Sequence, residues 1–150
     1  MIRRATPGDA DAIGRLFVRA RDLMTYLPRI PDEDRPRLGG WIVDRHEVWV
    51  HEDAGRVVGF IGLSEVMLDH IYVDPDCQAS GVGTDLFERV TVLRPDGFRL
   101  WVFQENEGAR HFYERHGCRL VKLTDGSGNM EKQPDALYEW LPTPPAATEL

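Results

Sequence analysis

Apolar residues early in the chain recur at helical spacing, and those in the middle run or alternate as strands do. Ile13, Leu16, Phe17 and Ala20 share one helical face, which predicts an amphipathic helix. Thr6-Pro7-Gly8-Asp9 marks its start, with Thr6 as cap, Pro7 at the first helical position and Asp9 reaching back. Residues 2–5 precede it as a short strand. Residues 32–35 open a second, weaker helix that tolerates Pro36 in its first turn and is loosened at its end by Gly39-Gly40. The intervening 23–31 segment reads as a loop exposing Met24, Tyr26 and Leu27.

From Val48 the pattern becomes extended. Residues 48–52, 56–64 and 67–73 form three successive strands, an antiparallel meander. Val82, Leu86, Val90 and Leu93 then line one face of a helix over 81–92, and Arg94-Pro95-Asp96-Gly97 stops it. A buried strand follows at 98–102. Asn106 caps a helix whose inner stripe is Ala109, Phe112, Tyr113 and His116, and Gly117 ends it. Strands at 118–123 and 136–141 close the chain across a loop containing Gly126, Gly128 and Asn129. These elements make one domain over 1–142, with 143–150 a disordered tail.

Composition narrows the function. The chain has 150 residues, 42% hydrophobic and 29% charged, as expected of one folded domain. A net charge of −7, from 18 Lys+Arg against 25 Asp+Glu, disfavours nucleic acid and anionic membranes as partners. Cys77 and Cys118 are too few for a disulfide scaffold. His46 and His51, like His111 and His116, are five apart rather than at helical ligand spacing, so no metal is expected. Arg3-Arg4 is not followed by an apolar signal core, and the nearly apolar 57–63 stretch contains two glycines and is too short to span a bilayer. A cytoplasmic location follows as the expectation.

The chemistry concentrates after the third strand, in Ile71-Tyr72-Val73-Asp74-Pro75-Asp76-Cys77-Gln78-Ala79-Ser80-Gly81-Val82-Gly83-Thr84. A strand enters a short loop and then a helix with two glycines in its first turn. First-turn N–H groups lack helical partners, and the helix dipole favours negative charge there. The segment therefore suits a phosphate cradle made of backbone, though two glycines also simply permit a tight strand–helix turn. A Walker loop is disfavoured because Thr84-Asp85 follows Gly83, and a dinucleotide fingerprint because Leu86 stands where a third glycine belongs.

Gln78-Ala79-Ser80-Gly81-Val82-Gly83 resembles the Gln/Arg-x-x-Gly-x-Gly/Ala signature of the GNAT superfamily of acetyl-CoA-dependent N-acetyltransferases. Asn106-x-x-Ala109-x-x-Phe112-Tyr113-x-x-x-Gly117 looks like that family's second CoA-side motif, and the order of elements matches over 2 to about 141. Cys118 departs from the usual Phe, and neutral Ala79 and Ser80 replace the basic residue often found in the cradle.

The resemblance implies an α+β fold, layered α/β/α, with a mixed, mostly antiparallel central sheet and helices on both faces. It implies that the strand ending at Val73 is splayed from 98–102 to admit acetyl-CoA. Backbone groups of Ile71, Tyr72 and Val73 would hold the acetyl carbonyl and pantetheine, and Gln78, Ala79, Ser80, Gly81, Val82, Gly83 and Thr84 the diphosphate. Asn106 would lie beside the pantetheine.

Amide formation further needs a neutral amine and a proton for the departing thiolate. Tyr113 is the candidate acid, and also fits a core stripe. Asp69 and His70 are candidate bases, with Glu65 nearby. Strand alternation puts Asp69 on the face of Ile71 and Val73, and His70 on that of Tyr72. The acceptor would be an amine of a small molecule or peptide, selected by residues 23–41, 64–69 and 124–135, with the protein a monomer or homodimer. A non-catalytic acyl-CoA sensor is the alternative. His111, Arg110, His116 and Arg115 read as solvent-facing or capping groups, Arg110 with a possible role at the nucleotide. The four tryptophans read as core, with Trp41 also placed to wall a substrate pocket.

Overall fold

The strand-forming runs assemble into a seven-stranded sheet of order β1-β2-β3-β4-β5-β7-β6 in the computed structural model, which describes residues 1–78 and 80–143. Its strands are β1 (Ile2–Arg4), β2 (Glu47–Asp53), β3 (Arg56–Ser64), β4 (Met67–Val73), β5 (Phe98–Phe103), β6 (Arg119–Leu123) and β7 (Asp135–Trp140). The helices are α1 (Ala10–Leu23), α2 (Leu38–Arg45), α3 (Val82–Leu93) and α4 (Glu107–Arg115). All neighbouring strands pair antiparallel except β4 and β5. Ala79 and residues 144–150 lie outside the described residues, so the tail expectation falls there.

Helices cover both faces, giving the expected α/β/α layering. On one face Ile13, Leu16 and Phe17 of α1 and Ile42 of α2 pack with Val48, Val50 and Phe60. On the other, Leu86, Phe87 and Val90 of α3 and Tyr113 of α4 pack with Ile61, Leu63, Phe98 and Leu100. Between these layers β3 is buried continuously from Val58 to Leu63. A strand covered on both faces reads as an apolar run rather than an alternation.

Three local expectations are corrected. Gly39 and Gly40 do not loosen the end of α2 but lie in its first turn. There α2 crosses α1 so closely that a Cβ on Gly39 would stand 1.7 Å from the Ala10 carbonyl oxygen. The α1–α2 loop also folds inward: Leu27 is buried, Met24 and Tyr26 are half-buried, and Tyr26 packs edge-on against Phe103 at 6.0 Å. Trp41 and Trp101, expected in the core, are 46% and 43% exposed.

The predicted helix start is instead a turn of 3-10 helix over Pro7–Asp9, and α1 begins at Ala10. The Asp9 carboxylate accepts hydrogen bonds from the Thr6 backbone N–H at 2.8 Å and from Arg3 Nη1 at 2.8 Å.

The central irregularity is between β4 and β5. Among the described residues the two strands pair only at Met67↔Arg99, supported by Arg99 N–H donating to the Val66 carbonyl at 2.9 Å. Beyond that point they diverge, while on its other edge β5 pairs with β7 along its whole length.

Candidate active site

The divergence opens a cleft of about 740 Å³. β4 lines it with Leu68, Asp69, Ile71, Tyr72 and Val73, β5 with Trp101, Val102 and Phe103, and α4 with Ala109, Phe112 and Tyr113. Leu23, Met24 and Tyr26, at the end of α1 and after it, wall the other end.

The loop from β4 to α3 is held from below. Buried Asp74 accepts from the Asp76 N–H at 2.9 Å and from Arg19 Nη1 at 3.0 Å, while its own N–H donates to the Val58 carbonyl at 2.8 Å. A turn of 3-10 helix over Pro75–Cys77 then leads to Gly81, the residue that caps α3. Gly81 has φ +86, a left-handed conformation natural to glycine, and has no side chain to satisfy the first-turn amides. Gly83 differs: a Cβ there would make ordinary contact, 3.4 Å from Phe112 and 3.6 Å from Val73, so its glycine matters for keeping the first-turn amides uncovered rather than for packing. Both glycines thus shape a helix N-terminus that adjoins the cleft, which Gln78 and Gly83 line. Ser80 donates its hydroxyl to the Cys77 carbonyl, and Ala79 lies outside the described residues.

Thr84 uses its hydroxyl elsewhere. His116 Nδ1 lies 2.7 Å from the Phe112 carbonyl, which can only accept, so that nitrogen carries the proton. With the ring neutral, Nε2 accepts from Thr84 Oγ1 at 3.2 Å. His116 is therefore half-buried and joins α3 to α4 rather than facing solvent. Asn106 accepts the Ala109 N–H at 3.2 Å, the expected cap, and its side chain borders the cleft. Arg110 donates to Tyr138 Oη at 3.1 Å, which ties it to β7.

Tyr113 lines the cleft but is 7% exposed. Burial raises its phenol well above the usual value, and neighbouring Tyr72 raises it further. Tyr72, from β4, is raised by burial as well.

Asp69 and His70 occupy different environments, and a β-bulge decides which is where. Gly62 pairs with His70 and Leu63 with Leu68, leaving Asp69 as the extra residue. The bulge interrupts the alternation at Asp69: Leu68 packs in the buried cluster with Ile71 and Val73, and Asp69 lines the cleft beside them. The Asp69 carboxylate accepts from the Ser64 hydroxyl and stands 3.6 Å from His46 Nε2. His70 does not line the cleft. Its ring packs edge-on against Phe17 at 5.6 Å and His46 at 4.8 Å, and its Nδ1 is buried without a hydrogen-bond partner among the described residues. Burial, with smaller contributions from His46 and Arg21, pushes its pKa down to about 3. Glu65 sits in the β3–β4 turn at φ +50 and does not line the cleft.

Several site residues had no signal in the sequence. Arg21 lies over the rings of Phe17 and Phe103, at 5.2 and 5.8 Å, and binds Glu131 at 3.2 Å. This pair fastens the β6–β7 loop to α1. His46 reaches Asp69 across more than twenty residues of sequence, and no spacing rule connects them.

The chain matches the family model for the acetyltransferase (GNAT) domain over residues 44–118. The peptidyl-lysine N-acetyltransferase YiaC of Escherichia coli is 32% identical over 132 residues, covering 81% of this chain and 84% of YiaC. An uncharacterized N-acetyltransferase of Methanocaldococcus jannaschii, MJ1207, is 34% identical over 110 residues. That match covers 62% of this chain, which spans about half (49%) of the archaeal protein's length. Among solved structures, Salmonella typhimurium YncA with its cofactor acetyl-CoA superposes at a TM-score of 0.74, with 19% identity over 99% of this chain and 97% of YncA. The chain belongs to the GNAT acetyltransferase family and carries an acyltransferase domain.

Proposed function

We propose that this chain transfers the acetyl group of acetyl-CoA directly to a primary amine of a small molecule or peptide, and that residues 1–142 form the one domain that does so. The observation that carries this reading is the divergence of β4 and β5 over a cleft that ends at the glycine-capped N-terminus of α3. The residues present suit such a donor. The unpaired edge of β4 offers backbone groups to an extended amide-bearing arm, as to an added strand. The first turn of α3 offers amides to a diphosphate without any lysine, so a net charge of −7 is no obstacle.

Acetyl-CoA supplies a thioester, and the chain supplies the rest. Backbone groups of Ile71, Tyr72 and Val73 hold the acetyl carbonyl and pantetheine. Gln78 and the 81–84 amides hold the diphosphate beside Ser80, whose own N–H is bound to the Cys77 carbonyl; Thr84 acts through its N–H because its hydroxyl is bound to His116. Asn106 fixes the start of α4 beside the arm. Asp69 is the base rather than His70, since Asp69 lines the cleft and His70 does not. Tyr113 is the acid, a phenol that burial keeps protonated for delivery to the departing sulfur.

A lysine-bearing peptide is the acceptor we favour. YiaC is named for that activity, and Asp69, Glu105 and Glu107 bring carboxylates to the cleft that draw a cation. Cytoplasmic action fits the supply of acetyl-CoA there, and among the described residues no helix is long and apolar enough to cross a membrane.

A continuous thiol-release assay with acetyl-CoA tests the reading, using a lysine peptide, a peptide with a free α-amine and a polyamine. Amine-dependent CoA release is expected, highest with the lysine peptide. Tight acetyl-CoA binding with no release for any acceptor would instead establish an acyl-CoA sensor.

A further inference from the structure

His46 closes α2 directly behind the bulged residue of β4. Its Nδ1 lies 2.9 Å from the Ile42 carbonyl, an acceptor, so the proton of a neutral ring is on Nδ1. The Nε2 lone pair then faces Asp69 Oδ2 at 3.6 Å. Two proton acceptors point at each other across a gap that a single proton would turn into an ion pair. The ring is nearly enclosed, with a side-chain exposure of 9%, whereas Asp69 is 33% exposed and lines the cleft.

From this geometry we infer that His46 is the proton reservoir behind Asp69, a positioning residue that acts through the carboxylate. The inference rests on the acetyl-transfer reading. The acceptor ammonium loses a proton, its N–H electron pair staying on nitrogen as the nucleophile, and an Asp69 oxygen gains that proton. Passage to His46 Nε2 leaves a carboxylate–imidazolium pair, so the dyad changes from a net charge of −1 to 0 and the proton is held away from the reacting amine. The Ser64 hydroxyl, donating to Oδ2, steadies the carboxylate throughout.

The surroundings favour this division of labour. The groups facing His46 are Asp69 and His70 from β4, Trp41 from α2 at 5.8 Å, and Arg45, whose guanidinium lies 5.0 Å from that indole. His70 stays neutral beside it, so a charge on His46 meets no second imidazolium. Gly62 leaves room for the His70 ring: a Cβ there would come within 3.1 Å of it. A carboxylate alone is a poor holder of an ammonium's proton, and the imidazole beside it gives that proton a second place to rest.

The test is the pH dependence of kcat/KM for the amine in wild type and His46→Gln, at saturating acetyl-CoA. The variant should lose about tenfold to a hundredfold in kcat. Its acid limb should move to lower pH, with the acetyl-CoA KM unchanged. A merely structural histidine would lower the plateau and leave the limb in place, which overturns the inference while the acetyl-transfer reading stands. Absence of CoA release from wild type defeats both. Should His46→Gln fail to fold, 15N NMR of the wild-type imidazoles serves instead: His46 Nε2 should gain its proton over the acid limb, and Asp69→Asn should move that titration. An unmoved titration overturns the inference.

Discussion

The Thr84 hydroxyl lies 3.2 Å from His116 Nε2, so the cradle helix α3 and the cleft helix α4 are joined by side chains. The histidine ring also stacks near Phe87 and Phe112, at 5.1 and 4.2 Å. Removing it frees α3 to shift against α4 without touching the proposed reacting groups. We expect His116→Ala to raise the acetyl-CoA KM several-fold and leave kcat within about twofold, with a lower Tm. Steady-state kinetics at fixed acceptor checks this; a loss confined to kcat would refute it.

The Asp9 carboxylate lends the fold an acid-side stability slope. Hydrogen bonding from Arg3 is the main cause that holds its pKa at about 2, against an ordinary 3.8. A carboxyl depressed in the folded state contributes fully above its unfolded value and loses that contribution as pH falls through the folded one. Wild type should therefore lose this increment between about pH 4 and pH 2. Asp9→Asn should cost about 1–2 kcal/mol at pH 7 and narrow its gap to wild type at pH 2.5. Urea unfolding at the two pH values measures the gap; a constant gap contradicts the assignment.

Much of the fold was legible because periodicity reports burial. The helix through Ile13, Leu16 and Phe17, the meander and both glycine-marked motifs appear where their patterns place them. What was illegible depended on contacts between distant segments. A bulge is a property of two strands, so nothing in Leu68-Asp69-His70 foretold that Asp69 would be displaced towards His46. The Gly39–Ala10 crossing is likewise invisible until α1 and α2 meet, and so a packing glycine, Gly39, read with Gly40 as a helix breaker. The Arg21–Glu131 pair is separated by 110 positions, and nothing local distinguishes either residue from a solvated surface charge.

Gly83 tests the cradle itself. A Cβ there meets Phe112 at 3.4 Å, a contact that a small adjustment absorbs, but a branched side chain would also cover the amides of the first turn. Gly83→Val should weaken acetyl-CoA binding by tenfold or more while changing Tm little. Gly81→Ala differs, since φ +86 carries a backbone penalty of about 1 kcal/mol for any side chain. Its larger effect should be on stability. Calorimetric titration with CoA and thermal unfolding separate the two; tight binding to Gly83→Val would place the diphosphate elsewhere.

Tyr113→Phe removes the proposed acid while keeping the ring that packs against Phe87 and Phe112. If the phenol protonates the departing thiolate, kcat should fall about a hundredfold with the acetyl-CoA KM nearly unchanged. The sign of its pH dependence follows from burial. A raised pKa keeps the phenol protonated, and so competent, past the pH at which an ordinary tyrosine ionises. The wild-type rate should show no basic limb from this group below about pH 10, and the loss in the phenylalanine variant should be uniform from neutral pH up to there. Equal kcat values for the two proteins would remove Tyr113 from the chemistry and leave it as part of the core beneath the cleft.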